Sequence, residues 1–161
     1  MQYGLNEEQE MIVSTVRNFV EKEIYPHEAL VDRTGEVPKE VAQEIKRKTL
    51  ELGFYACNFP EKMGCAGLNH LEFALVEREL GRGSMALNHF FGRPQNILMA
   101  CQGDQIDKYL KPALAGEKMD ALAMTEPGAG SDIRSMSCTA KRDGGDWVVN
   151  GSKHFISGAD H

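Results

Sequence analysis

The chain has 161 residues, 42% of them apolar and 26% charged, and its 24 acidic and 18 basic residues give a formal net charge of −6. That mixture excludes a disordered chain, and the acidic balance argues against nucleic-acid binding, which needs a basic face. No apolar run approaches the roughly 20 residues that span a bilayer, and the start of the chain lacks the basic and apolar stretches of a leader. The expected location is therefore the cytoplasm, or the mitochondrial matrix after removal of a leader not present here.

In chain order, helices come first. Asn6 is the expected N-cap of the first, with Gln9 as its capping-box partner. Met11, Ile12, Thr15, Val16, Phe19, Val20 and Ile24 form one apolar stripe. Tyr25-Pro26 is expected to end this helix, because a residue before proline avoids the α region. A second helix is predicted from near Pro38, with Val41, Ile45, Thr49 and Leu52 on one side and Gly53 at its end. Residues 58–68 read as a loop, and a third helix as Asn69 to Leu80, closed by Gly81. A fourth is predicted from Ser84, interrupted at Gly92-Arg93-Pro94, and a short one from an Asp104 cap to Leu114.

After Gly116 the apolar period shortens to two. Strands are predicted at Asp120 to Thr125, Ser137 to Arg142, Trp147 to Val149 and Ser152 to Ile156, with Asp143-Gly144-Gly145 and Asn150-Gly151 as the turns. The fold class is thus α+β: an all-α domain over residues 1–117, then the start of an antiparallel, barrel-like β domain over residues 118–161. The pattern stops among open strand edges, which points to a truncated chain.

Cys57, Cys65, Cys101 and Cys138 show no CxxC spacing and no histidine pair beside them, so no metal site is expected. His27, His70, His89, His154 and His161 share no spacing and read as surface or satisfied residues. Lys46-Arg47-Lys48 reads as a solvated helix face.

The most informative stretch is Ala123-Met124-Thr125-Glu126-Pro127-Gly128-Ala129-Gly130-Ser131-Asp132. Its turn residues, small residues and side-chain oxygens let a backbone approach a flat or anionic ligand closely. The string resembles the signature of the acyl-CoA dehydrogenase family. Phe59-Pro60-Glu61-Lys62-Met63-Gly64, Glu77-Arg78-Glu79-Leu80-Gly81-Arg82 and Val149-Asn150-Gly151-Ser152-Lys153-His154-Phe155-Ile156-Ser157 resemble further family strings, in the family's order.

The resemblance implies a helical N-terminal domain, a middle β domain, and a C-terminal helical bundle missing from this chain. It implies FAD as cofactor, an acyl-CoA thioester as substrate and an electron-transferring flavoprotein as partner. A homotetrameric assembly and a role in fatty acid metabolism come with it. The α proton of a thioester is weakly acidic, so the reaction needs a carboxylate base, and the β hydride goes to flavin N5. The family's base is a glutamate in the missing part, so no catalytic residue is expected in this chain and the portion alone is expected to be inactive. Glu126 is read as a loop residue rather than a base.

Carried over residue by residue, the resemblance implies flavin contacts from Leu122, Met124, Thr125, Gly130, Ser131, Phe155 and Ser157, with Ser131 also beside the CoA ligand. Phe155 stands where tryptophan is usual, Ser157 where threonine is usual, and Leu122 where relatives are often aromatic. His89-Phe90-Phe91-Gly92-Arg93 matches the region that lines the acyl pocket in relatives, with core packing favoured for the two phenylalanines and Arg93 the weakest candidate for a CoA-phosphate contact. An acyl-CoA oxidase, a flavin monooxygenase on the same scaffold and a non-catalytic dehydrogenase-like protein are the alternatives.

Overall fold

The structure is a computed structural model and describes residues 4–158. The chain divides after Lys118 into two compact units.

In the first unit, helix α1 (Glu7–Phe19) opens with the capping box of Asn6 and Gln9, as expected. The apolar stripe does not stop at Tyr25-Pro26. Val20–Ile24 is a π-helical turn that runs directly into α2 (Tyr25–Thr34), with Pro26 in its first turn. The wider turn explains the difference. Tyr25 donates back five residues to the Val20 carbonyl, and proline, which lacks an N–H, sits where the ladder has already been reset.

Helix α3 (Lys39–Glu51) begins after Pro38, which precedes the first turn instead of lying in it. Its buried residues are Ala42, Ile45 and Thr49, whereas Leu52 lies past the helix end and is exposed. Helix α4 (His70–Leu80) carries a second capping box, Asn69 with Glu72. Helix α5 (Met85–Asn88) tightens into a 3-10 turn at His89–Phe91 before Gly92 breaks it. A second π turn, Ile106–Leu110, leads into α6 (Lys111–Leu114), and Asp104 lies inside the first turn of that segment rather than capping it.

The core joins α1, the first π turn, α3, α4 and α5 through Ile12, Val16, Phe19, Ile45, Val76, Leu80, Leu87 and Phe91. Burying each such side chain fully is worth about 1.5–3 kcal/mol. Phe19 and Phe91 meet edge to face at 5.3 Å, so Phe91 is a core residue. Arg93 pairs with Glu77 at 2.9 Å. Glu79, only 2% exposed, accepts from Arg17 of α1 at 2.9 and 3.1 Å and from the adjacent Arg78 at 2.8 Å, which ties α4 to α1. The Lys46-Arg47-Lys48 run is solvated only at its centre. Lys46 donates to the Gly116 carbonyl at 2.9 Å and Lys48 pairs with Glu23 at 2.6 Å.

The second unit contains one antiparallel hairpin, β1 (Thr139–Asp143) with β2 (Asp146–Asn150), closed by Gly144-Gly145 in the register Thr139 to Asn150 and Asp143 to Asp146. Asp120–Thr125 and Ser152–Ile156 form no ladder, and Asn150-Gly151 is not a hairpin turn. An alternating pattern makes a strand only where a neighbour supplies hydrogen bonds, and among the described residues these two segments have no ladder partner. They are held by a single backbone hydrogen bond, from the His154 N–H to the Thr125 carbonyl, and by side chains. No helix among the described residues is long and apolar enough to cross a membrane.

Candidate functional site

The glycine-rich signature lies wholly in the second unit, and its geometry starts from a tight corner. Glu126 donates to the Ala129 carbonyl at 3.0 Å and Ala129 donates back at 3.1 Å, with Pro127 and Gly128 between them. Asp132 then caps a short turn, Ile133–Ser135, by accepting from the Arg134 N–H at 3.2 Å and from the Ser135 hydroxyl.

The corner turns the Glu126 side chain inward, where it is 3% exposed. Its carboxylate accepts from the Ser137 N–H at 2.6 Å, the Ser137 hydroxyl at 2.9 Å and the Cys138 N–H at 3.1 Å. The Lys153 ammonium completes the set at 2.8 Å. The hydrogen bond from Lys153, followed by those from Ser137 and Cys138, holds this carboxyl far below the usual carboxylate range. It stays ionised and fully engaged at neutral pH, so it is no free proton acceptor. The same carboxylate pushes the Cys138 thiol up.

Lys153 also donates to the Met124 carbonyl at 2.8 Å and lies 3.4 Å from the Met136 sulfur. Next to it, the His154 N–H donates to the Thr125 carbonyl at 3.0 Å. These contacts bring Met124 and Thr125 against the segment that carries Phe155. That residue has φ +59, a left-handed conformation rare for a bulky side chain, and its ring is 85% exposed. The ring stacks on His154 with centroids 4.4 Å apart. Leu122, Gly130, Ser131 and Ser157 are exposed in the same unit. No hydrogen bond among the described residues ties them to Met124, Thr125 or Phe155.

Gly151 anchors the far end of this segment. Its φ is +141, and a Cβ there would lie 2.2 Å from the Cys138 sulfur. Sequence reasoning missed Lys153 and Gly151 as parts of the arrangement. The available signal was one acid and one base, Glu126 and Lys153, placed inside two separately matched strings.

The arrangement is a buried ionic clasp beneath two exposed backbone segments rich in hydroxyls and apolar surface. Residues 6–117 match the acyl-CoA dehydrogenase N-terminal domain and residues 121–161 match the acyl-CoA dehydrogenase middle domain. The chain belongs to the acyl-CoA dehydrogenase family.

Among its relatives is the 3-(aryl)acrylate reductase of Clostridium sporogenes, 37% identical over 158 residues, which cover 95% of this chain and 41% of that protein. The caffeyl-CoA reductase-Etf complex subunit CarC of Acetobacterium woodii is 37% identical over 159 residues, covering 94% of this chain and 41% of that protein. This chain thus spans about two-fifths of the length of these relatives. A solved glutaryl-CoA dehydrogenase from Mycobacterium smegmatis, in complex with FADH2, superposes with a TM-score of 0.76 at 29% identity, over 94% of this chain and 39% of that one. Among the described residues there is no group of three His, Cys, Asp or Glu able to hold a metal ion.

Proposed function

We propose that this chain supplies flavin- and thioester-facing residues to an enzyme that removes hydrogen across the α,β carbon–carbon bond of an acyl-CoA thioester. The observation that carries the reading is the Glu126–Lys153 clasp under Met124, Thr125 and Phe155. It fixes a polar backbone edge beside an exposed aromatic ring held in a left-handed conformation. Such strain persists where a surrounding structure over-determines it, and it clusters at ligand clamps.

The donor set fits FAD. Thr125, Ser131 and Ser157 offer hydroxyls, Phe155 offers a flat apolar wall, and at Gly128 and Gly130 nothing approaches within 4 Å of a built Cβ. Bound FAD would supply the two-electron acceptor for the hydride. This chain's residues would hold the ring's polar edge and cover one face, with Ser131 placed for the CoA ligand as well. The general base, the adenosine side of the cofactor site and the tetramer contacts belong to the rest of the protein in this reading. Electron exchange with an electron-transferring flavoprotein is supported by the name of the A. woodii relative.

A second reading concerns direction. Two of the relatives are named as reductases, and the same residues would serve hydrogen addition to an acrylyl-type double bond. The test of the common claim is the flavin content of the protein expressed from the complete reading frame. One FAD per chain, released only on denaturation, supports it. A colourless protein that takes up no FAD on reconstitution would overturn it.

A further inference from the structure

We infer that Lys153 is a positioning residue for the flavin edge: by holding the Met124 carbonyl, it sets the direction in which the Thr125 N–H donates. The inference rests on the flavin reading above.

The Met124 carbonyl and the Thr125 N–H belong to one peptide unit. That unit is planar and trans, so its two polar groups point in opposite directions. The carbonyl is committed to the Lys153 ammonium at 2.8 Å. The N–H is therefore aimed away from Lys153, and no described residue accepts from it. A backbone donor without a protein partner, beside an exposed aromatic ring, is what an acceptor atom at the edge of a flat ligand would take.

Little else holds this peptide unit. Neither Asp120–Thr125 nor Ser152–Ile156 is part of a ladder. The backbone bond joining them is the one from His154 to the Thr125 carbonyl, which fixes the next peptide unit rather than this one. Lysine suits the task because its ammonium puts three donors on one atom, here directed at the Met124 carbonyl, the Glu126 carboxylate and the Met136 sulfur. Glu126 in turn holds the ammonium in place, since Ser137 and Cys138 already fill its remaining acceptor positions.

A purely structural role and a positioning role separate in two variants made in the complete reading frame. Lys153→Met removes the donor and leaves the Glu126 charge without its cation. The pair Lys153→Met with Glu126→Gln removes that charge as well, and so relieves the fold while the Met124 carbonyl still lacks its donor. We expect Lys153→Met to weaken FAD retention about tenfold or more and to shift the visible absorption bands of the flavin that remains. The double variant should regain most of the thermal midpoint and keep the altered flavin spectrum. Wild-type spectra and retention in Lys153→Met, or a double variant that regains spectrum and midpoint together, would overturn the inference. A wild-type protein without flavin would overturn the underlying reading, and the inference with it.

Discussion

The Lys153 ammonium lies 2.8 Å from a Glu126 carboxylate oxygen and 2.8 Å from the Met124 carbonyl, so one side chain ties together two segments that no strand pairing joins. Three further donors on Glu126, from Ser137 and Cys138, tie the same corner to the start of the hairpin.

Acid should loosen the second unit. The folded Glu126 carboxyl is held far below the roughly 4.3 of an unfolded glutamate. Its contribution is therefore fully present above that unfolded value and is lost as pH falls toward the folded one. Protection against hydrogen exchange in residues 119–158, taken relative to the intrinsic rate at each pH, should be unaffected by Glu126 between about pH 5 and pH 8, and should fall below about pH 4. In Glu126→Gln the same peptides should already exchange fast at neutral pH and change less on acidification. Equal acid responses in the two proteins would contradict this account.

The break after Phe91 depends on Gly92. Its φ is +83, and a Cβ there would lie 1.9 Å from the Tyr55 ring, while its carbonyl accepts from the Ala56 N–H at 3.0 Å. Gly92→Ala should cost about 2–4 kcal/mol, since overpacking adds to the left-handed penalty. Urea unfolding measures this. Adding Tyr55→Leu, which clears the space but not the backbone strain, should recover only part of the loss.

Charge on α4 should matter unequally. Glu79→Ala leaves several guanidinium groups without their shared acceptor and should destabilise by about 1–3 kcal/mol. Arg78→Ala should change stability by less than about 1 kcal/mol, because the exposed Arg78 is one donor among several. Denaturant midpoints of the two variants decide the order.

Cysteine reactivity gives a separate check on the core. Burial pushes the Cys57 thiol up to about 11, so at pH 8 it is protonated as well as shielded. Iodoacetamide should leave Cys57 unmodified in the native protein and label it fully in denaturant, read by peptide mass spectrometry. Rapid native labelling would contradict the packing described for Cys57.

Local signals were legible where a few neighbouring residues decide the outcome. The Asn6–Gln9 capping box was visible as spacing because cap and partner lie three residues apart on one chain segment. The end of the first helix was misread at Pro26 because the compensation is a π turn, and nothing in side-chain type announces that widening. In the second unit, alternation at Asp120–Thr125 and Ser152–Ile156 suggested strands, but strand formation is a property of pairs and not of segments. Glu126 reads from the sequence as a loop residue, and its carboxylate is engaged by Ser137, Cys138 and Lys153. Its partner Lys153 was not found, because the two are 27 residues apart and meet only through a folded corner.

In the proposed function these segments face a flavin that exchanges hydrogen with an acyl thioester. The most direct measurement is the anaerobic visible spectrum of the FAD-loaded protein from the complete reading frame, recorded while a panel of saturated and aryl-substituted acyl-CoAs is added. Flavin absorbance should be lost with at least one thioester and should return when the matching unsaturated thioester is added in excess. Flavin that binds yet keeps its absorbance through the whole panel, and that after chemical reduction is not reoxidised by any unsaturated thioester, would contradict the proposed function.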